Sequence, residues 1–172
     1  MTGKANELEQ RESDRVFRKR RRWAAVVVVA LLGLGVLVIG NWFAGKPEGL
    51  GATNGRLSKC PDSPNCVCSQ DDRPEHQIAP LKYEGDGPEA FERLAELLKS
   101  RKRTRIVKET DNYLQVEFTT PVLRFVDDGE FLLDEQERVI HVRSASRIGH
   151  SDMGANRKRI EEIRQAFESE KK

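Results

Sequence analysis

The 172-residue sequence has only three histidines, three cysteines and a net charge of +2. It contains no His-Glu-x-x-His, Gly-x-Ser-x-Gly, P-loop or dinucleotide glycine fingerprint, so no familiar catalytic motif is present. The balance of 30 Lys and Arg against 28 Asp and Glu excludes a uniformly basic nucleic-acid coat, and no nucleic-acid partner is expected. A mean hydropathy of −0.64 excludes a polytopic membrane protein. The length leaves room for one domain of about a hundred residues plus extensions.

What is present is unevenly distributed. Residues 1–22 carry eight bases against four acids, a net +4, which leaves the remaining chain at −2. From Trp23 to Ala44 no residue is charged. At about 1.5 Å per residue such a helix spans roughly the 30 Å hydrocarbon core. Trp23 and Trp42 stand at its ends, and Arg18 to Arg22 flank one side only. The excess of positive charge places a 1–22 tail in the cytoplasm and everything after the 23–44 helix outside. A cleaved signal is the competing reading, but the charged region is long and Asn41-Trp42-Phe43-Ala44 is a poor cleavage site. Lys59 before Cys60 argues against a lipoprotein. Expected localisation is therefore single-pass in the cell membrane, with the C-terminal domain in the envelope, periplasmic where there are two membranes.

Residues 45–59 are rich in glycine, lack hydrophobic periodicity and predict a flexible tether. Three cysteines then fall within Cys60-Pro61-Asp62-Ser63-Pro64-Asn65-Cys66-Val67-Cys68. In an oxidising compartment a Cys60–Cys66 disulfide is the leading assignment, pinning an irregular arm, with Cys60–Cys68 the alternative pairing. A thiolate metal set with His76 as fourth ligand is the other reading, but no second ligand pair completes it. The sequence implies no metal and no cofactor.

Residues 60–168 predict a globular domain, with 169–172 fraying. A short strand falls within Gln77 to Tyr83. Pro88 opens a helix whose Phe91, Leu94, Ala95 and Leu98 recur on one face, ending near Ser100. Arg101-Lys102-Arg103 reads as a solvated loop. Strands follow at Thr104 to Glu109, Tyr113 to Thr119, Val122 to Asp134 with a kink at Asp127-Asp128-Gly129, and Val139 to Ser146. Leu114, Val116 and Phe118 share one sheet face, and their polar neighbours predict that the other face is wet. Ser151 or Asp152 caps a final helix with Asn156, Ile160, Ile163 and Phe167 on one face. The expected fold is α+β: a two-layer sandwich of an antiparallel sheet with two helices on one face, preceded by one transmembrane helix.

The densest polar cluster combines Arg124, Asp127, Asp128, Glu130, Arg143, Ser144, Ser146, Arg147, Asp152, Asn156 and Arg159. Alternation puts Arg143 and Arg147 on one face and Ser144 and Ser146 on the other. Two readings compete. In the first, Asp127, Asp128, Glu130 and Asp152 accept hydrogen bonds from Arg124, Arg143, Arg147 and Arg159 and lock the strands to the last helix. In the second, Arg124, Arg143, Ser144, Ser146, Arg147, Asp152, Asn156 and Arg159 form a pocket for a small anionic ligand or an envelope protein partner. A metal-dependent or acid/base hydrolase at Asp127, Asp128, Asp152 and His150 is the enzymatic alternative. Without a supporting motif, binding without catalysis is the favoured expectation.

Three motifs in the same order carry a resemblance. They are Cys60 to Val67, Phe125-Val126-Asp127-Asp128-Gly129-Glu130-Phe131, and Arg143-Ser144-Ala145-Ser146-Arg147 running through Ser151-Asp152 to Asn156-Arg157-Lys158-Arg159. Over roughly Cys60 to Phe167 the chain resembles the domain-of-unknown-function family fourteen-ninety-nine. The resemblance implies one compact domain of exported or envelope proteins and carries no activity, substrate or cofactor with it. Cys68 stands where the family usually has serine.

Overall fold

The computed structural model describes residues 15, 19–33, 35 and 49–169. The chain divides into two compact units, residues 1–40 and 41–172. In the first, residues 19–33 form helix α1. Among the described residues no helix is long and apolar enough to cross a membrane. Most of the 1–22 tail, residues 34 and 36–44 of the expected 23–44 span, and residues 170–172 lie outside the described residues.

The second unit is α+β. A short hairpin, β1 (Ala52–Thr53) and β2 (Arg56–Leu57), precedes β3 (Cys66–Cys68) and β4 (Leu81–Lys82). Helix α2 (Gly87–Ser100) follows, then β5 (Thr104–Glu109), β6 (Tyr113–Thr119), β7 (Val126–Asp134), β8 (Val139–Ser146) and helix α3 (Ala155–Ser169). The main sheet has the order β3-β8-β7-β6-β5, and β4 also pairs with β8. All these pairings are antiparallel.

Helix α2 begins where the sequence places it. Asp86 Oδ1 accepts the Glu89 N–H at 2.9 Å, and Pro88 sits in the first turn, where its missing N–H costs nothing. Phe91, Leu94 and Leu98 of α2 and Ile160, Ile163 and Phe167 of α3 pack in one core with Leu114, Val116, Phe118, Phe131, Leu133, Ile140 and Val142. Those strand residues occupy one face, so both helices cover it. Each fully buried side chain of this kind stabilises the fold by about 1.5–3 kcal/mol.

Gly129 faces the same core opposite Val116. A Cβ there would stand 2.4 Å from a ring carbon of Phe118, so the ring occupies the space a side chain would need. The sequence Asp127-Asp128-Gly129 is accordingly not a kink but the interior of a continuous strand. That strand starts at Val126 rather than Val122, which is 85% exposed in the preceding loop. The strand expected within Gln77 to Tyr83 shrinks to Leu81–Lys82.

The second sheet face is not wet. Tyr113, Gln115 and Glu117 are all buried. Of the segment expected to be a tether, 45–59, residues 45–48 lie outside the described residues and 49–59 fold over this face instead. Leu57, Cys60, Cys66 and Cys68 make a second apolar cluster with Tyr113, Leu132 and Ala145. The Gly51 N–H donates to Glu130 Oε1 at 2.7 Å, and the Leu57 N–H to Gln70 Oε1 at 2.8 Å. These bonds satisfy the backbone of a segment with too few apolar residues to announce its own burial.

Cys60 and Cys66 are disulfide-bonded, Cα to Cα 5.6 Å, and Cys68 is a free, buried thiol pushed up by that burial. His76 is buried with Nδ1 3.0 Å from the Cys66 carbonyl oxygen.

Candidate functional site

The strand alternation read from the sequence divides the Arg/Asp cluster between the two sheet faces. On the face beneath the N-terminal arm, Glu130 is fully buried. It accepts from Gly51 N–H and Tyr113 Oη at Oε1, both at 2.7 Å, and from Arg143 Nη1 at Oε2, 2.8 Å. On the same face Arg147 donates to both oxygens of Asp128, at 2.7 Å each, and to Glu117 Oε1 at 2.6 Å. Arg105 reaches the other oxygen of Glu117. On the helix face, Asn156 Oδ1 accepts from Ser144 Oγ and Arg159 Nη1, each at 2.6 Å. Its Nδ2 donates to the Asn65 carbonyl and to Ser146 Oγ, each at 3.0 Å. Arg159 also pairs with Asp127 and stacks 4.8 Å over the Phe118 ring.

The eight residues expected to line one pocket are therefore not gathered into one. Arg143 and Arg147 are matched with carboxylates on one face. Ser144, Ser146, Asn156 and Arg159 form a hydrogen-bonded knot on the other. Arg124 lies in the exposed loop before β7, with φ 54°. Asp152 accepts the N–H groups of Gly154 and Asn156, at 2.9 and 2.8 Å, as the cap of α3. The alternative catalytic set separates in the same way. Asp127 and Asp128 are adjacent on a strand and face opposite ways, one toward Arg159 and one toward Arg147, while His150 is exposed.

The electrostatics fit a locking network. Burial pushes Glu117 up, but hydrogen bonds from Arg147 and Arg105 outweigh it and hold the carboxyl below its ordinary range. Burial and the Glu130 carboxylate push the Tyr113 phenol far up. Asp71, buried under the arm, accepts from Arg73 side-chain and backbone N–H groups and from the Cys60 N–H, and it lies well below the carboxylate range. Arg73 also donates to the Cys60 carbonyl at 2.6 Å, so the pair clasps the disulfide loop. Sequence reading missed this clasp.

A carboxyl depressed in the folded state contributes stability that is present above its unfolded pKa of about 4 and is lost as pH falls through the folded value. Thermal unfolding followed from pH 7 to pH 2 should show a plateau that declines below about pH 4. Asp71→Asn should lower the plateau and flatten that decline; an unchanged acid limb would remove Asp71 from the account.

A different group of cations lines an open cavity of about 420 Å³. Its walls are the loop after α2 (Arg101, Lys102, Arg103), the ends of β5 and β6, and the first turns of α3, with Lys158, Arg159 and Glu162. Arg101 pairs with Glu162 at 3.2 Å, and Arg159 is held by Asp127 and Asn156. Lys102, Arg103 and Lys158 have no ion pair among the described residues. Antiparallel pairing of β5 with β6 holds this loop in place: the Arg103 carbonyl, at φ 59°, accepts the Thr119 N–H at 2.9 Å. Five cations against one carboxylate give the cavity a strong positive potential. The N–H groups opening α3 are already taken by Asp152, so side chains supply the attraction. The only sequence signals are the runs 101–103 and 157–159, which are distant in the chain and meet only through the sheet. A larger hollow elsewhere, about 870 Å³, is lined by Glu92, Glu109, Asp111 and Glu135 and has the opposite sign.

No curated protein and no solved structure matches the chain. The family model described as a protein of unknown function (DUF1499) matches residues 56–167, from β2 through the last core residue of α3, and the chain belongs to that family.

Proposed function

We propose that the chain is a single-pass, membrane-anchored envelope protein whose outward domain binds a small anionic ligand, without catalysis, in the cavity between the α2–β5 loop and α3. The observation that carries the binding reading is the convergence of Lys102, Arg103 and Lys158, none of them ion-paired among the described residues, beside Arg159. Cations in one concave place repel one another, and an anion relieves that repulsion while gaining charge-assisted hydrogen bonds of about 1.5–3 kcal/mol each. The anchor rests on the uncharged run from Trp23 to Ala44 and its basic flank. The Cys60–Cys66 disulfide suits an oxidising compartment.

Titration of the detergent-solubilised full chain with inorganic phosphate and with a dicarboxylate, followed by calorimetry at two salt concentrations, tests the binding. Saturable binding that weakens with salt is expected, and Arg103→Ala with Lys158→Ala should lower affinity about tenfold or more at nearly unchanged Tm. Affinity that ignores both substitutions, or no binding of either anion, overturns the reading.

A further inference from the structure

At the far end of β7 from the basic cavity, the tight β7–β8 turn brings a histidine and two carboxylates together. Asp134 ends β7, Glu137 lies in the turn and His141 stands on β8, diagonal to Asp134 on the sheet face opposite the helices. His141 Nε2 is 3.6 Å from Asp134 Oδ2 and 3.8 Å from Glu137 Oε2. Three ligand atoms, one from each residue, lie within 4.8 Å of one another. We infer that Asp134, Glu137 and His141 form a binding site for a divalent transition-metal cation of the zinc class.

Three observations support it. The separations are too long for charge-assisted hydrogen bonds, which run about 2.7–2.9 Å. The two distances from His141 lie nearer the edge of a tetrahedron around an ion held about 2.0–2.2 Å from each ligand, roughly 3.3–3.6 Å, and the two carboxylate oxygens, within 4.8 Å of each other, would draw together on an ion. Second, His141 is only 7% exposed, and its Nε2 lies close to both carboxylates without a hydrogen bond to either. Third, the groups behind the ligands hold them in place. Ser69 Oγ is 3.2 Å from His141 Nδ1 and is itself fixed by accepting the Val142 N–H at 2.9 Å. With Nδ1–H donating to Ser69, the Nε2 lone pair points at the ion. Asp134 Oδ1 is occupied by the N–H groups of Gln136 and Glu137, both at 2.9 Å, which leaves Oδ2 facing the site.

One imidazole nitrogen and two carboxylate oxygens suit zinc, cobalt or manganese rather than a soft thiolate-seeking ion, and three protein ligands leave a fourth position open. Asp134 is half-buried and Glu137 exposed, so the site opens to solvent on the Glu137 side. Its ligands come from both strands of one hairpin, and an ion would tie that turn shut.

The test is zinc titration of the full chain after chelator treatment, read by calorimetry and by Tm, with cobalt(II) absorption as a second probe of coordination. One equivalent of zinc should bind and raise Tm. Glu137→Gln, an exposed substitution that leaves folding intact, should weaken binding about tenfold or more and abolish most of the Tm shift. Ser69→Ala should weaken it less, and His141→Gln should remove it. Zinc binding unchanged in Glu137→Gln, or no binding to the wild-type chain while phosphate binding persists, overturns the site without touching the basic cavity.

Discussion

Glu130→Ala is expected to destabilise the domain by about 3–5 kcal/mol, much of the stability a domain of this size has, as measured by urea unfolding of the disulfide-bonded protein. Glu130 is the fully buried carboxylate on which the second sheet face is organised. Its removal leaves the Arg143 guanidinium buried without its partner, and Arg143 Nε already has none among the described residues. It also orphans the Tyr113 hydroxyl and the Gly51 N–H. An unpaired buried charge costs more than the pair contributes, so replacing the whole set should behave differently. Glu130→Leu with Arg143→Leu and Tyr113→Phe should recover most of the loss, since an apolar trio needs no partners and only the N–H of half-buried Gly51 is left to find water. The Gly51 contact makes a further distinction: in Glu130→Ala, amide exchange across residues 49–57 should rise even under native conditions, because the arm loses its polar anchor. A loss below about 1 kcal/mol would mean that water replaces the carboxylate and that the arm is held by Leu57 and the disulfide alone.

The elements that sequence reading placed correctly are those with a clean period. Phe91, Leu94 and Leu98, and Ile160, Ile163 and Phe167, recur at helical spacing, and both helices lie on the face bearing Leu114, Val116 and Phe118. Alternation likewise separates Arg143 and Arg147 from Ser144 and Ser146. What escaped is what depends on a partner far along the chain. Gln115 and Glu117 look like solvent-facing residues because burial of a polar side chain is invisible until its donor is known, and for Glu117 the donors are Arg105 and Arg147. Residues 49–59 look like a tether because glycine and polar residues carry no period. They fold down because Glu130 and Gln70 accept their backbone N–H groups, and because the Asp71–Arg73 clasp fixes the next residue, Cys60. Asp127-Asp128-Gly129 reads as a kink because the ring that requires the glycine, Phe118, belongs to the neighbouring strand. The basic cavity escaped for the same reason, its two runs being joined only by the β5–β6 pairing and the docking of α3.

Asn156→Ala should cost about 3 kcal/mol or more, because all four hydrogen-bonding positions of a fully buried amide are used. It leaves a buried Ser144 hydroxyl and the Asn65 carbonyl each one partner short. The Asn65 contact ties α3 to the loop closed by Cys60–Cys66, so the two should be energetically coupled. A double-mutant cycle of Asn156→Ala with Cys60→Ala/Cys66→Ala should show a non-zero interaction energy, where independent sites would add. A loss below about 1 kcal/mol, or strict additivity, would show that the knot is not a lock. Asn156 also holds Arg159 Nη1, and Arg159 lines the basic cavity. Asn156→Ala should therefore weaken phosphate binding as well as folding, whereas Lys158→Ala, on an exposed turn of the same helix, should weaken binding alone. That contrast separates the residue that positions the cation from the cation that meets the ligand. A knot with no bearing on the cavity would leave the phosphate affinity of the folded Asn156→Ala protein at its wild-type value.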